Sequence, residues 1–186
     1  MKPSDRLHIV KGSITRLTTE AIVNAANNQL RAGSGVCGAI HSAAGPMLQA
    51  ECLKIGWCPT GQSVITDAYN LPCKKVIHTV GPDMRPWAAD KLTESPEWLL
   101  ASCYDTAISL AKANGLKSIA FPCISAGVYM YPKSEAARIA YDTIMHRLSA
   151  DYDGEVTVCC FTDDDLESYR QLTDLPPDEK TISFLT

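Results

Sequence analysis

Apolar and polar positions fall into short period-two runs separated by longer stretches of helical period. Leu7-His8-Ile9-Val10 reads as a first strand closed by Lys11-Gly12, and Ala21-Ile22-Val23 leads straight into Asn24-Ala25-Ala26-Asn27. Ser63 to Ala68 alternates, Val76-Ile77-His78-Thr79-Val80 is rich in β-branched residues and stops at Gly81-Pro82, and Ser118–Phe121 and Glu155–Phe161 complete six strand candidates. Ser95-Pro96 has the N-cap and first-turn proline of a helix start. From there Leu99, Leu100, Cys103, Ala107, Ile108 and Ala111 recur at helical spacing until Asn114-Gly115. Pro132 opens a second long helix with Ala136, Ala137, Ile139, Ala140, Ile144 and Leu148 as its apolar stripe; Pro46 to Lys54 is a shorter candidate. Thr162 before three aspartates carries the acidic first turn of another. Alternating strands and helices predict an α/β sandwich with a largely parallel sheet and helices on both faces. Ligands of such sheets sit beyond the carboxyl ends of the strands, so the segments after each strand are where chemistry is expected.

Composition narrows the classes. The chain has 186 residues, 46% hydrophobic and 20% charged, which suits a single domain with its own core. The expected organisation is one domain over residues 1–173 and a tail at 174–186. The N-terminal MKPSDRLHIVKG lacks the apolar segment of a secretory signal, and no run approaches the ~18 apolar residues of a membrane span, so no membrane partner is expected. The eight cysteines contain no C-x-x-C pair, and Cys159 and Cys160 on one strand point to opposite faces. They read as reduced, buried apolar residues of a cytoplasmic protein, without a metal. Net charge is −4, with a slight basic excess over residues 1–150 and an acidic excess beyond. No basic stripe with interleaved aromatics appears, which argues against a nucleic-acid partner.

Two segments between strands and helices stand out. The first runs from Asn24 to His41 as a loop with Gly33, Gly35 and Gly38; the second is Cys123-Ile124-Ser125-Ala126-Gly127-Val128-Tyr129-Met130-Tyr131-Pro132. Glycines at such junctions let backbone N–H groups converge on an anion, helped by a helix N-terminus. Two of them could cradle a diphosphate without lysine or arginine; the alternative is that the glycines only make turns. Neither segment is a P-loop, since no Gly-Lys-Ser/Thr follows. Gly33-Ser34-Gly35-Val36-Cys37-Gly38 matches the dinucleotide-binding spacing by letter but lies too far past its strand.

Gly12-x-Ile14-Thr15, Ala21-Ile22-Val23-Asn24-Ala25-Ala26-Asn27, the stretch from Gly33 to His41, and Ser125-Ala126-Gly127-Val128-Tyr129 with Tyr131-Pro132 together resemble the macrodomain family. Gly-Val-x-Gly-Ala-Ile-His is similar to its MacroD-type branch, and the resemblance spans roughly residues 6 to 173. It implies a three-layer α/β/α sandwich around a six-stranded mixed sheet. It implies ADP-ribose or its derivatives as ligand and, in many members, hydrolysis of mono-ADP-ribosylated proteins or of O-acetyl-ADP-ribose, with no cofactor. By position, Gly33, Ser34, Gly35 and Val36 would wrap the diphosphate on one side and Ser125, Ala126, Gly127, Val128 and Tyr129 on the other. Asn27 would hydrogen-bond the distal ribose, an amide offering both donor and acceptor to vicinal hydroxyls. Tyr131 would line that ribose pocket, and Ile14 and Phe161 would contact adenine.

Two positions depart from the family pattern. Ser13 stands where an adenine-contacting Asp is usual; losing the charge-assisted bond would cost on the order of 1 kcal/mol. Cys37 stands where hydrolases of this branch use Asp to orient water, and a thiol is a poor acceptor. Three readings of Cys37 are open: hydrolysis without that carboxylate, a non-catalytic ADP-ribose reader, or a thiolate activated by His41 four residues on. Among the remaining residues, Asn24 is expected to brace loop backbone and His78 to be a hydrogen-bonded core histidine. Trp57, Trp87 and Trp98 are expected to pack over the sheet edges, and Pro82 to Ser95 to form a surface loop.

Overall fold

A computed structural model describes residues 1–172, so the 174–186 tail lies outside the described residues. All six strand candidates form: β1 (Leu7–Lys11), β2 (Ala21–Ala25), β3 (Ser63–Asp67), β4 (Lys75–Thr79), β5 (Ser118–Phe121) and β6 (Glu155–Cys160). They make one sheet in the order β1-β6-β5-β2-β4-β3. Every pairing is parallel except β3 with β4. The helices are α1 (Gly35–Ala44), α2 (Pro46–Ile55), α3 (Pro86–Ala89), α4 (Pro96–Ala113), α5 (Lys133–Ala150) and α6 (Asp163–Arg170).

Strand alternation divides the core into two layers. Val23, Ile77, Phe121, Val158 and Cys160 face α4 and α5, whereas Ile22, Val76, Ala120 and Cys159 face α1 and α2. A sheet covered on both sides needs apolar residues at successive positions, which is why Ala21-Ile22-Val23 shows no polar alternation. The adjacent cysteines at the end of β6 enter opposite layers, as their spacing predicts. All eight cysteines are unbridged. Among the described residues, no helix is long and apolar enough to cross a membrane.

Helix ends follow the local signals. Ser95 caps α4 by accepting from the Trp98 amide, Pro96 fills the first turn, and Gly115 closes the far end at φ 68°. Thr162 and Asp165 exchange bonds as a capping box at α6. Three expectations need correction. The segment from Asn24 to His41 is not all loop: α1 starts at Gly35, because Gly38 lets the first helical turn close against the Gly33 carbonyl. Trp57, Trp87 and Trp98 do not pack over the sheet edges but stand exposed. Residues 82–95 are not a plain surface loop, since they contain α3 and bond to the loop after β5.

Helices α4 and α5 are joined by the buried Arg147, which reaches the Asp105 carbonyl at 2.8 Å, the Asp105 carboxylate and Ser109 at 2.9 Å, and Asp151 at 2.8 Å. Arg147 first, and then Lys112, hold the Asp151 carboxyl down to about 2. Its folded-state value is depressed, so this stabilisation is complete above pH ~4 and is lost as pH falls through about 2. Asp151 is partly exposed, which limits the contribution to about 1 kcal/mol. Asp151→Asn is expected to lower stability by up to about that amount at neutral pH, with the difference closing between roughly pH 4 and 2 in urea titrations. A deficit that does not change with pH would assign it to something other than this ion pair.

Candidate functional site

Because β1, β6, β5, β2 and β4 run parallel, their carboxyl ends and the segments that follow lie along one edge of the fold. In spatial order these are Gly12-Ser13-Ile14, then Phe161, then residues 122–132, then 26–34, then 80–95. Strands β2 and β5 are direct neighbours, with Ala21 opposite Ile119 and Ile22 opposite Ala120. The two glycine-bearing segments therefore emerge side by side.

The first is a braced turn. Asn27 donates to the Arg31 carbonyl at 2.8 Å and accepts from the Arg31 amide at 3.0 Å, and the Leu30 amide returns to the Asn27 carbonyl at 3.0 Å. Gln49 on α2 accepts from the Ala32 amide at 2.5 Å and donates to the Leu30 carbonyl at 3.0 Å. Gly35 sits at φ 60°, a conformation that favours glycine. Ser34 makes no side-chain cap. Among the described residues, the amides of Gly33, Ser34, Gly35, Val36 and Cys37 meet no protein acceptor. These are the orphan donors of a helix start, with its positive dipole end behind them.

The second turn is held by Ser125 Oγ donating to the Pro82 carbonyl at 2.9 Å, the Tyr131 amide to Ser125 O at 2.9 Å, and the Met130 amide to Gly127 O at 3.0 Å. The Ala126 amide donates to Cys123 O at 3.3 Å, so it is engaged. Among the described residues, the amides of Ser125, Gly127, Val128 and Tyr129 have no protein acceptor, and Gly127 and Val128 are exposed. Burial first, then the Asp83 carboxylate, pushes the Tyr129 phenol up; Arg85 opposes this and the Cys37 thiol adds to it. Arg85 places its guanidinium 5.2 Å from the Tyr129 ring centre. The edge is therefore not without a cation, and nothing in the local pattern after Gly81-Pro82 announced one.

Toward β1, Ser13 Oγ is 2.8 Å from Thr15 Oγ1, Ile14 is buried, and the Gly12 amide bonds the Cys160 carbonyl at 3.0 Å. Phe161 is 76% exposed at the end of β6, so it is not core. Tyr131 is 3% exposed and packs among α4 and α5 residues.

Beneath the first turn the two asparagines depart from expectation. Asn24 is fully buried and donates to His78 Nδ1 at 3.0 Å instead of bracing loop backbone, the task Asn27 performs. His78 Nε2 then meets Thr66 Oγ1 at 2.9 Å, so His78 is a hydrogen-bonded core residue as expected. Burial, with His41 nearby, pushes its pKa down to about 3. Cys37 is buried, with Sγ 3.7 Å from Asn24 Nδ2 and donating to the Arg31 carbonyl at 3.6 Å. His41 turns instead toward His78, ring centres 6.3 Å apart, and burial lowers its pKa. The thiol thus has a carbonyl to donate to, and no hydrogen bond joins it to His41 among the described residues, which gives the activated-thiolate reading no support. His41, Cys52 and His78 bring possible ligand atoms within 4.8 Å of one another. Asn24 and Thr66 already take both His78 nitrogens, and burial pushes the Cys52 thiol up to about 11.

Gly38 is the tightest point of the first turn: a Cβ there would lie 2.4 Å from the Gly33 carbonyl oxygen, which is rigid backbone. Gly38→Ala is expected to destabilise the fold by about 1–3 kcal/mol in chemical denaturation, despite the better helix propensity of alanine. A neutral or stabilising result would mean that the turn is free to shift.

This geometry coincides with what the chain resembles. A family model described as Macro domain matches residues 23–140. The chain is 45% identical over 169 residues to ADP-ribose glycohydrolase MACROD2 of Xenopus laevis, a match that spans 90% of this chain and 40% of that protein. It is 44% identical over 179 residues to the O-acetyl-ADP-ribose deacetylase of Escherichia fergusonii, spanning 94% of this chain and 98% of the relative. Among solved structures, the Oceanobacillus iheyensis macrodomain with ADP superposes with a TM-score of 0.81 at 45% identity, covering 89% of this chain and 88% of that one. The Trypanosoma brucei macrodomain in complex with ADP-ribose gives 0.81 at 38% identity, covering 89% and 68%. With its six-stranded sheet and paired open turns, the chain belongs to the Macro domain family.

Proposed function

We propose that this macrodomain binds ADP-ribose and hydrolyses it from mono-ADP-ribosylated proteins, or deacetylates O-acetyl-ADP-ribose. The observation that carries the reading is the pair of open amide rows, Gly33 to Cys37 and Gly127 to Tyr129, on adjacent strands. A pyrophosphate between them accepts N–H bonds from both sides and meets the α1 N-terminus. Phe161, exposed beside Ser13 and Ile14, offers a face on which adenine stacks. Asn27 keeps one N–H and one lone pair beyond its bonds to Arg31, enough to hold a ribose diol. No metal or organic cofactor enters this scheme, and the unbridged thiols suit a reducing, cytoplasmic setting.

Catalysis rests on positioning. Cys37 donates to the Arg31 carbonyl and supplies no base. The water is held by diphosphate oxygens beside the anomeric carbon, or beside the ester carbonyl, while fixed dipoles stabilise the charge that develops. The same thiol favours a second reading, a module that recognises ADP-ribose on proteins without turning it over.

Incubation with mono-ADP-ribosylated protein separates the two: released ADP-ribose supports the enzyme, and none at stoichiometric protein leaves the reader. Cys37→Asp places a carboxylate beside the Asn24 amide and is expected to raise turnover at least ~10-fold, the scale of an added acid–base group. An unchanged rate would show that the carboxylate is not what limits hydrolysis. Gly127→Glu fits sterically, because a Cβ there meets open space, but puts a negative charge in the cradle. Calorimetry is expected to show no ADP-ribose binding by this variant; parental affinity would refute the placement of the diphosphate.

A further inference from the structure

The turn after β5 is held partly by its own backbone bonds and partly by a second segment. Ser125 and Met130, at its two ends, sit at φ 62° and 61°, a left-handed conformation that costs each L side chain roughly 1–2 kcal/mol. Such strain persists only where surrounding contacts over-determine it. Beyond the bonds within the turn and the Lys133 ammonium on the Ala126 carbonyl, those contacts come from the segment after β4. Gly81 lies so close beneath the turn that a Cβ would fall 2.2 Å from Ser125 Oγ. Ser125 Oγ donates to the Pro82 carbonyl, and the Met84 amide donates to the Tyr129 carbonyl at 2.8 Å. The next residue, Arg85, covers the Tyr129 ring itself.

Resting on the reading of this edge as an ADP-ribose site, we propose that Arg85 is a positioning residue. Its guanidinium, oriented by Asp83, clamps the Tyr129 ring and so fixes the turn whose amides receive the diphosphate. The Asp83 carboxylate accepts from the Arg85 backbone amide at 3.1 Å, from Nε at 2.8 and 3.1 Å, and from Nη2 at 2.5 Å. This two-point fork sets the guanidinium plane independently of the rings. Arg85 Cζ then lies 5.2 Å from the centres of both Trp87 and Tyr129, within the range of cation–π attraction. Both Asp83 oxygens are taken by Arg85, so the carboxylate orients the arginine. The chain Asp83–Arg85–Tyr129 thus carries the rigidity of β4 to a turn on β5, two strands away across β2. Arg85 acts on the ligand through Tyr129.

The test is a double-mutant cycle on ADP-ribose affinity, measured by calorimetry for the parent protein, Arg85→Ala, Tyr129→Leu and the double variant, with thermal unfolding of each. Arg85→Ala is expected to weaken binding about tenfold at a nearly parental melting temperature, and to add less than about twofold once Tyr129 is leucine. Arg85→Lys keeps a cation over the ring without the fork and is expected to recover part of the loss. If alanine lowers the melting temperature, Arg85→Gln replaces it in the cycle, with the same outcomes. Parental affinity in the arginine variants, or equal losses with and without Tyr129, would overturn the positioning role while leaving the site intact. Failure of the parent protein itself to bind ADP-ribose would overturn the reading of the site and this role with it.

Discussion

A backbone N–H left without an acceptor is costly unless water or a ligand meets it, and folded chains leave few of them together. Among the described residues nine lie in two short rows, at Gly33 to Cys37 and at Ser125 and Gly127 to Tyr129, after neighbouring strands. The rest of the site is arranged to keep these rows open. Asn27 and Gln49 absorb the other polar groups of the first turn, and Ser125, Tyr131 and Met130 close the second onto itself. Dipoles fixed in this way need no reorganisation when an anion arrives, which is why an oxygen-rich, multiply charged ligand is their natural complement.

The layer under the turns explains how such loops stay in place. A chain of hydrogen bonds runs from Asn24 through His78 to Thr66 and on to the Asp67 carbonyl. It ties β2, β4 and β3 together with hydrogen bonds in a buried setting, where each bond is electrostatically stronger than in water, while Asn24 Oδ1 is left without a partner among the described residues. Cys37 rests on this layer through Asn24, a packed thiol held from below.

How much of this was legible beforehand depended on whether the signal is local. Each of the six strands could be read from its own alternation or β-branched run, and Ser95, Pro96, Gly115 and Thr162 announced helix ends through chemistry acting within one turn. The open amides of Gly33 and Gly127 were foreshadowed by the glycines themselves. The depth of Tyr131 was not legible, because an aromatic beside a proline motif carries no sign of which way it faces; its burial depends on α4 and α5, distant in sequence. Asn24 and Asn27 are chemically identical, and only the reach of His78 from β4 assigns one to the core and the other to the turn. The segment from Pro82 to Ser95 looked like a plain loop for the same reason, since its partners are on the far side of β2.

The sequence by itself determined the α/β alternation, the family and the backbone-rich character of the candidate site, because periodicity, capping and turn preferences act between residues a few positions apart. Only the tertiary structure decided that β3 runs antiparallel, that Cys37 donates to the Arg31 carbonyl, and that Arg85 reaches Tyr129. Those are relations between segments brought together by burying both faces of one sheet, and no local pattern encodes them.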